Sequence, residues 1–258
     1  MLSRLISRGG APVWAPLGVV ALLVGLWWLA VAATGTLMVP TPRQVLLGIV
    51  ELAGQGLLLP HVLSSLFRVG AGFLLAAALA VPLGICMGWF RGVFLATNPV
   101  VQLLRPVSPI AWIPLAILWF GVGDLSPIFL IFLASFFPMV VNATTAVRTI
   151  ERQYIRASEN FGVNGLRLLC LVIVPAALPE ILVAMRISLG VAWLVVVAAE
   201  MIALNSGLGY LIMDSRNAGN RYDLVVAGMV MIGVFGLLLD TLMRRLERLR
   251  MVRWRYGR

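Results

Sequence analysis

The chain has 258 residues, 61% of them hydrophobic and 12% charged, and a mean hydropathy of +1.02; a water-soluble chain of that composition could not hide its apolar side chains in one core. Its basic residues are twenty arginines and no lysine, which excludes Schiff-base chemistry and the phosphate-gripping lysine of a P-loop ATPase. Cys86, Cys170 and the single histidine His61 are too few and too scattered for a Cys/His metal cluster, and the net charge of +10 is better explained by membrane orientation than by a nucleic-acid partner.

A crossing needs about 20 apolar residues, and the chain reads as an all-α polytopic membrane protein of six spans in one domain, residues 1–258. Span one covers 13–33; Arg4 and Arg8 before it imitate a signal peptide, but its length favours an uncleaved crossing. Pro42 to Leu59 places Val45, Leu46, Ile49 and Leu52 at helical spacing, as in an interfacial helix on the outer surface. Span two runs from about Leu63 to Phe90, with Arg68 near its entry, Pro82 bending it, and the small residues Gly70, Gly72, Ala76, Ala77, Ala78 and Gly84 allowing close helix packing. Span three covers 104–120, span four 127–147, span five 181–202 and span six 224–243. The termini and the loops after spans two and four hold most of the arginines, so the positive-inside rule makes both termini cytoplasmic.

The segment 148–175 is too polar to span. Ile150, Tyr154, Ala157 and Phe161 form one apolar face of a short helix, which Gly162 and Asn164-Gly165 then break. Such a helix can rest on the protein's own membrane base or dock a partner, and periodicity alone does not choose between the two.

The run Arg156-Ala157-Ser158, three residues, Gly162, nine residues and Val172-Ile173-Val174-Pro175 resembles the cytoplasmic EAA motif of ABC importer permeases in its spacing. It departs from the motif at Arg156, Ser158, Val172 and Val174. Over about residues 60–245, Arg105-Pro106-Val107-Ser108-Pro109, Trp119-Phe120-Gly121-Val122-Gly123-Asp124, Ala198-Ala199-Glu200 and Gly207-Leu208-Gly209-Tyr210 look like the nitrate, taurine and aliphatic sulfonate branch. The resemblance implies a type I ABC importer permease fold, a homodimer in the bacterial cytoplasmic membrane, and a periplasmic or lipid-anchored solute-binding protein. It also implies an ATPase subunit dimer that binds ATP and Mg, leaving no cofactor in this chain. The ATPase-coupling residues so implied are Ile150, Tyr154, Arg156, Ala157, Ser158, Phe161, Gly162 and Pro175.

Prolines 106, 109 and 114 leave carbonyls free in span three, and irregular backbone at membrane depth lines a cavity or is buried by protein. Ser108, Trp112 and Trp119, with Ser188 and Trp193 of span five, are therefore pathway candidates, although packing explains each aromatic equally well. Glu200 in span five is either a pathway or gate residue or a carboxylate hydrogen-bonded to a neighbouring span. Arg186 lies fourteen residues away on the same span, about 21 Å along a helix, too far to pair with it. The expected function is ATP-driven import of a small anion or sulfonated compound by alternating access. The alternatives are import of a different organic solute, an ion-coupled carrier using Glu200, and a nontransporting scaffold.

Overall fold

In the computed structural model of the protein, residues 14–34 and 39–247 are described, and every regular element among them is a helix. The arginines of the N-terminus and those beyond Glu247 lie outside the described residues, as does Val13 at the start of span one.

Helix α1 (Trp14–Thr34) exposes Leu22, Leu23, Trp28 and Leu29 and buries Val31. Helix α2 (Pro42–Gly54) begins at a capping box: the Thr41 hydroxyl accepts from the Gln44 N–H at 3.3 Å, and the Gln44 side-chain oxygen accepts from the Thr41 N–H at 2.7 Å. Its buried face is Val45, Gly48 and Leu52. Leu46, expected on that face, points outward with Leu47 and Val50.

The centre of the bundle is α3 (Leu58–Trp89) against α6 (Leu125–Arg148). Gly72, Ala76, Ala80 and Gly84 recur every fourth residue on the buried face of α3, so they stack along one stripe of the helix. A Cβ on Gly72 would stand 2.7 Å from the Ile128 carbonyl, and one on Gly84 2.6 Å from Ala143 Cβ. The other small residues named from sequence are off this seam: Gly70 meets open space and Ala78 is exposed. Pro82 lies inside α3 without ending it.

Span three differs from expectation. Helix α4 (Arg91–Leu104) stops at Arg105, a short 3-10 turn follows at Pro109–Trp112, and α5 (Ile113–Phe120) leaves at 84° to α4. Pro106 and Pro109 cause the break, because each lacks an N–H and restricts the residue before it. Span five is also longer than expected. Helix α8 (Gly165–Leu168), a π-helical turn (Leu169–Ile173) and α9 (Val174–Ala203) form one apolar run from Gly165 to Ile202. Pro175 therefore sits in the first turn of α9, where its missing N–H is tolerated, rather than in a loop. Helix α7 (Arg152–Asn160) precedes this run, and α10 (Leu208–Asn217) and α11 (Tyr222–Glu247) close the chain.

Among the described residues, four helices, α3, α6, the run ending in α9, and α11, are long and apolar enough to cross a membrane, and the bent α4–α5 pair makes a fifth candidate. The sixth crossing of the sequence reading falls to α1, whose described apolar stretch is Gly18–Ala33. The largest buried cluster joins α2, α3, α6, α9, α10 and α11 through residues such as Leu52, Phe73, Val140, Val196 and Leu208.

The seam predicts an asymmetry. Gly84→Leu overpacks α3 against α6 and should cost at least the 1–3 kcal/mol typical of core overpacking, lowering the melting temperature of the detergent-purified chain; Gly70→Leu, at an open position, should leave it unchanged.

Candidate functional site

Two regions concentrate the chemistry, one at each end of the bundle. At the end where α9 finishes, Arg68 and Glu200 form an ion pair at 2.8 Å, with relative exposures of 2% and 0%. Isolated charges at this depth are costly, so each must be fully partnered. The Arg68 guanidinium donates to Asp124 Oδ1 at 2.8 Å, to the Ser206 carbonyl at 2.8 Å and to the Ser206 hydroxyl at 2.6 Å. Glu200 accepts from the Ser65 hydroxyl at 2.8 Å and from the Gly209 N–H at 3.0 Å. The first N–H groups of α10, which have no partner within their own helix, are met by this same set: Leu208 N–H by Ser65 Oγ at 2.9 Å and Gly207 N–H by His61 Nδ1 at 3.0 Å. Gly207 adopts φ +107°, and a side chain there would collide with the Glu200 carboxylate. Asp124 is presented by a turn that Ser126 closes by donating to the Gly121 carbonyl at 2.6 Å.

The partner of Glu200 is therefore Arg68. Arg186 instead pairs with Glu247 at 3.1 Å and Asp240 at 3.7 Å. A signal for the true pairing was present: Arg68 and Glu200 are opposite charges that the six-span topology places in the outer halves of their spans. Ser65, Ser206 and Asp124 carried no such signal.

At the opposite end, α7 is held by its inner face. Ile150, Ile155 and Val163 pack on a cluster made by Ala143, Ala146 and Val147 of α6 with Leu168, Ile173 and Ala177. Tyr154 is 50% and Phe161 87% exposed, and Ala157 and Arg156 are also exposed. Ile150 leaves the expected stripe because it precedes the first helical residue. The Ser158 hydroxyl donates to the Tyr154 carbonyl at 2.8 Å. Helix α7 ends in a Schellman turn: Val163 N–H donates to the Ser158 carbonyl at 3.0 Å and Gly162 N–H to the Glu159 carbonyl at 2.9 Å, with Gly162 at φ +77°. Ile150, Tyr154 and Pro175 together line a groove of about 340 Å³ between α7 and the start of α9.

The pathway candidates are dispersed. Ser108 is exposed at the α4–α5 break. Trp112 and Trp119 stand 6.4 Å apart, and both contact Phe129. Trp193 is buried and donates to the Ile232 carbonyl at 3.0 Å, against Gly236. Ser188 is buried with no partner for its hydroxyl, and Glu200 belongs to the node above.

The chain is thus an apolar helical bundle with an exposed, glycine-terminated helix between two of its candidate spans. Residues 80–252 match the family of binding-protein-dependent transport system inner membrane components, and the chain belongs to that family. It is 38% identical to the taurine transport system permease protein TauC of Escherichia coli, over 92% of this chain and 88% of that one. It is 36% identical to the putative aliphatic sulfonates transport permease protein SsuC of Bacillus subtilis, over 91% and 85%. Its fold resembles an inward-facing structure of the MetNI methionine ABC transporter, with a TM-score of 0.66 at 17% identity, covering 74% of this chain and 95% of that one.

The node predicts non-additivity. Arg68→Met or Glu200→Met alone should destabilise by about 3–5 kcal/mol, because the remaining charge stays buried without its partner. The double variant should unfold less readily than either single variant in detergent melts; additive losses would show that the two side chains do not act as a pair.

Proposed function

We propose that the chain is the permease subunit of an ABC importer for a small oxyanion or sulfonated compound such as nitrate, taurine or an alkanesulfonate, and that α7 is where an ATPase subunit docks. The observation that carries this reading is the stripe of Tyr154, Ala157 and Phe161, exposed on a helix too polar to lie in hydrocarbon. The reading of α7 as resting on its own base applies only to its other face, Ile150 and Ile155. The similarity to TauC and SsuC supports the substrate class. The family description supports a solute-binding protein that delivers substrate.

In this reading the permease works as a homodimer with both termini cytoplasmic, and ATP and Mg bind in the partner. Closure of the ATPase dimer displaces α7. Because its inner face is packed into the ends of both α6 and α9, that displacement moves the two spans together. The Schellman turn at Gly162 sets the angle at which α7 joins α9. The α4–α5 break, with Ser108, Trp112 and Trp119, faces the substrate pathway; Ser188, Trp193 and Glu200 support it from within the bundle. An ion-coupled carrier would need Glu200 to exchange protons with water, yet Glu200 has no exposed surface and accepts from three protein donors, Ser65, Arg68 and Gly209.

Vesicles holding only this chain should not accumulate sulfonate, and adding the ATPase and binding protein should produce ATP-dependent uptake. Phe161→Asp should lower uptake at least tenfold and release the ATPase in pull-downs while leaving the melting temperature unchanged; uptake by the lone chain would overturn the importer reading. Gly162→Leu forces a branched side chain into a left-handed conformation that costs about 1–2 kcal/mol, and it should reduce the uptake obtained per ATP hydrolysed.

A further inference from the structure

Among the described arginines, Arg68, Arg186, Arg221 and Arg244 form ion pairs with carboxylates. Arg91 and Arg148 do not. Among the described residues neither guanidinium joins an ion pair or donates a side-chain hydrogen bond, yet both line the same cavity of about 360 Å³ with Trp89 and Phe94. A second cavity of about 360 Å³ shares Met87, Phe94 and Arg148 with it and adds Asn98, Gln102 and Thr144. No carboxylate lines either one.

We propose that these adjoining cavities, between α4 and the last turns of α6, bind an oxyanion group (sulfonate, sulfate or phosphate) through Arg91 and Arg148. The Arg148 guanidinium lies 4.2 Å from the centre of the Phe94 ring, so its face is occupied by the aromatic contact while its N–H edges stay free for a fork-shaped grip on an anion. Gln102 donates to Asn98 Oδ1 at 3.5 Å, which commits that carbonyl and leaves the Asn98 amide N–H groups as further donors. Thr144 and Thr145 give their hydroxyl hydrogens to the Val140 and Val141 carbonyls and are not donors to the site. Complementing the C-terminal dipole of α6 accounts for Arg148 alone. Neither that dipole nor the positive-inside bias of this end requires the two exposed arginines Arg91 and Arg148 to line one cavity that holds no carboxylate, an arrangement that a bound anion relieves.

The same chemistry is offered by a water-soluble anion and by the phosphate of an anionic lipid, which basic pockets between spans also hold. The proposal rests on the importer reading only in the choice of a sulfonate probe. The full chain in an uncharged detergent is titrated calorimetrically with sodium sulfate and with sodium ethanesulfonate at constant ionic strength, and its retention of phosphatidylglycerol is measured by native mass spectrometry. Binding of at least one of these should weaken at least tenfold in R91Q/R148Q and remain unchanged in R216Q, which alters an exposed arginine of α10. Loss confined to the soluble anions identifies a site for free solute, and loss confined to the lipid identifies a headgroup site. If the double variant does not fold, N98A carries the test and should weaken binding at least threefold. No binding of any probe by the wild-type chain, or equal binding by the folded variants, overturns the proposal. Neither outcome depends on whether ATP-driven uptake is observed.

Discussion

One half of this bundle depends on one buried ion pair. Arg68 and Glu200 bring opposite charges from α3 and α9 to a place without water, where each would be prohibitively costly alone and where the pair is favourable only if every remaining donor and acceptor is matched. Matching them recruits the surroundings. The second edge of the guanidinium draws in Asp124 and Ser206, and the second carboxylate oxygen draws in Gly209. The sharp Gly207 turn follows, since only a residue without a side chain leaves room for the carboxylate there. Five segments thus converge on a charge pair contributed by two of them, and the start of α10 is capped by side chains of other helices.

The seam between α3 and α6 supplies what the node cannot. In lipid, apolar side chains gain little by leaving hydrocarbon for protein, so helix association depends on close backbone approach. The stripe Gly72, Ala76, Ala80, Gly84 gives that approach along the middle of both helices, and Gly88 extends it to Val147 near the end of α6. The ion-pair node and the seam together make α3, α6 and α9 a unit whose far end is held to α7 by a separate apolar cluster. A displacement at α7 therefore has a stiff body to act on.

What could be read from the sequence follows the range of the interactions involved. Spans four and six were legible to within a few residues, because a continuous apolar run bounded by charges reports its own ends. The glycine turn after α7 was legible for a similar reason: a Schellman turn is written in consecutive residues. Span three was misjudged because the pattern showed prolines without showing how sharply the chain bends at them. Span five extends further back than its apolar pattern suggests, because Pro175, Pro179 and Glu180 interrupt the pattern of a helix that continues to Gly165. The partner of Glu200 is not legible locally, because its counter-charge lies on another helix, 132 positions away in sequence. Long-range polar pairing needs the depth of each charge across all spans, and only the assembled topology provides it.

The two ends differ in how completely they satisfy themselves, and this difference assigns their roles. At one end the buried Arg68 and Glu200 find partners within the chain, and Arg221 is likewise held by Asp223 and Glu51, whose hydrogen bonds push its pKa further up and keep it charged. Apolar exposure elsewhere on the bundle needs no explanation, because lipid covers it. Phe161 is different. It caps a helix that also carries Arg152, Arg156 and Glu159 and is too polar for hydrocarbon, so its exposure would be to water in an isolated subunit. An aromatic ring in that setting gains from burial against protein, and the Schellman turn directly behind it holds the ring in position to be buried. The self-satisfied end is a fixed frame, and the other end keeps apolar surface open to water.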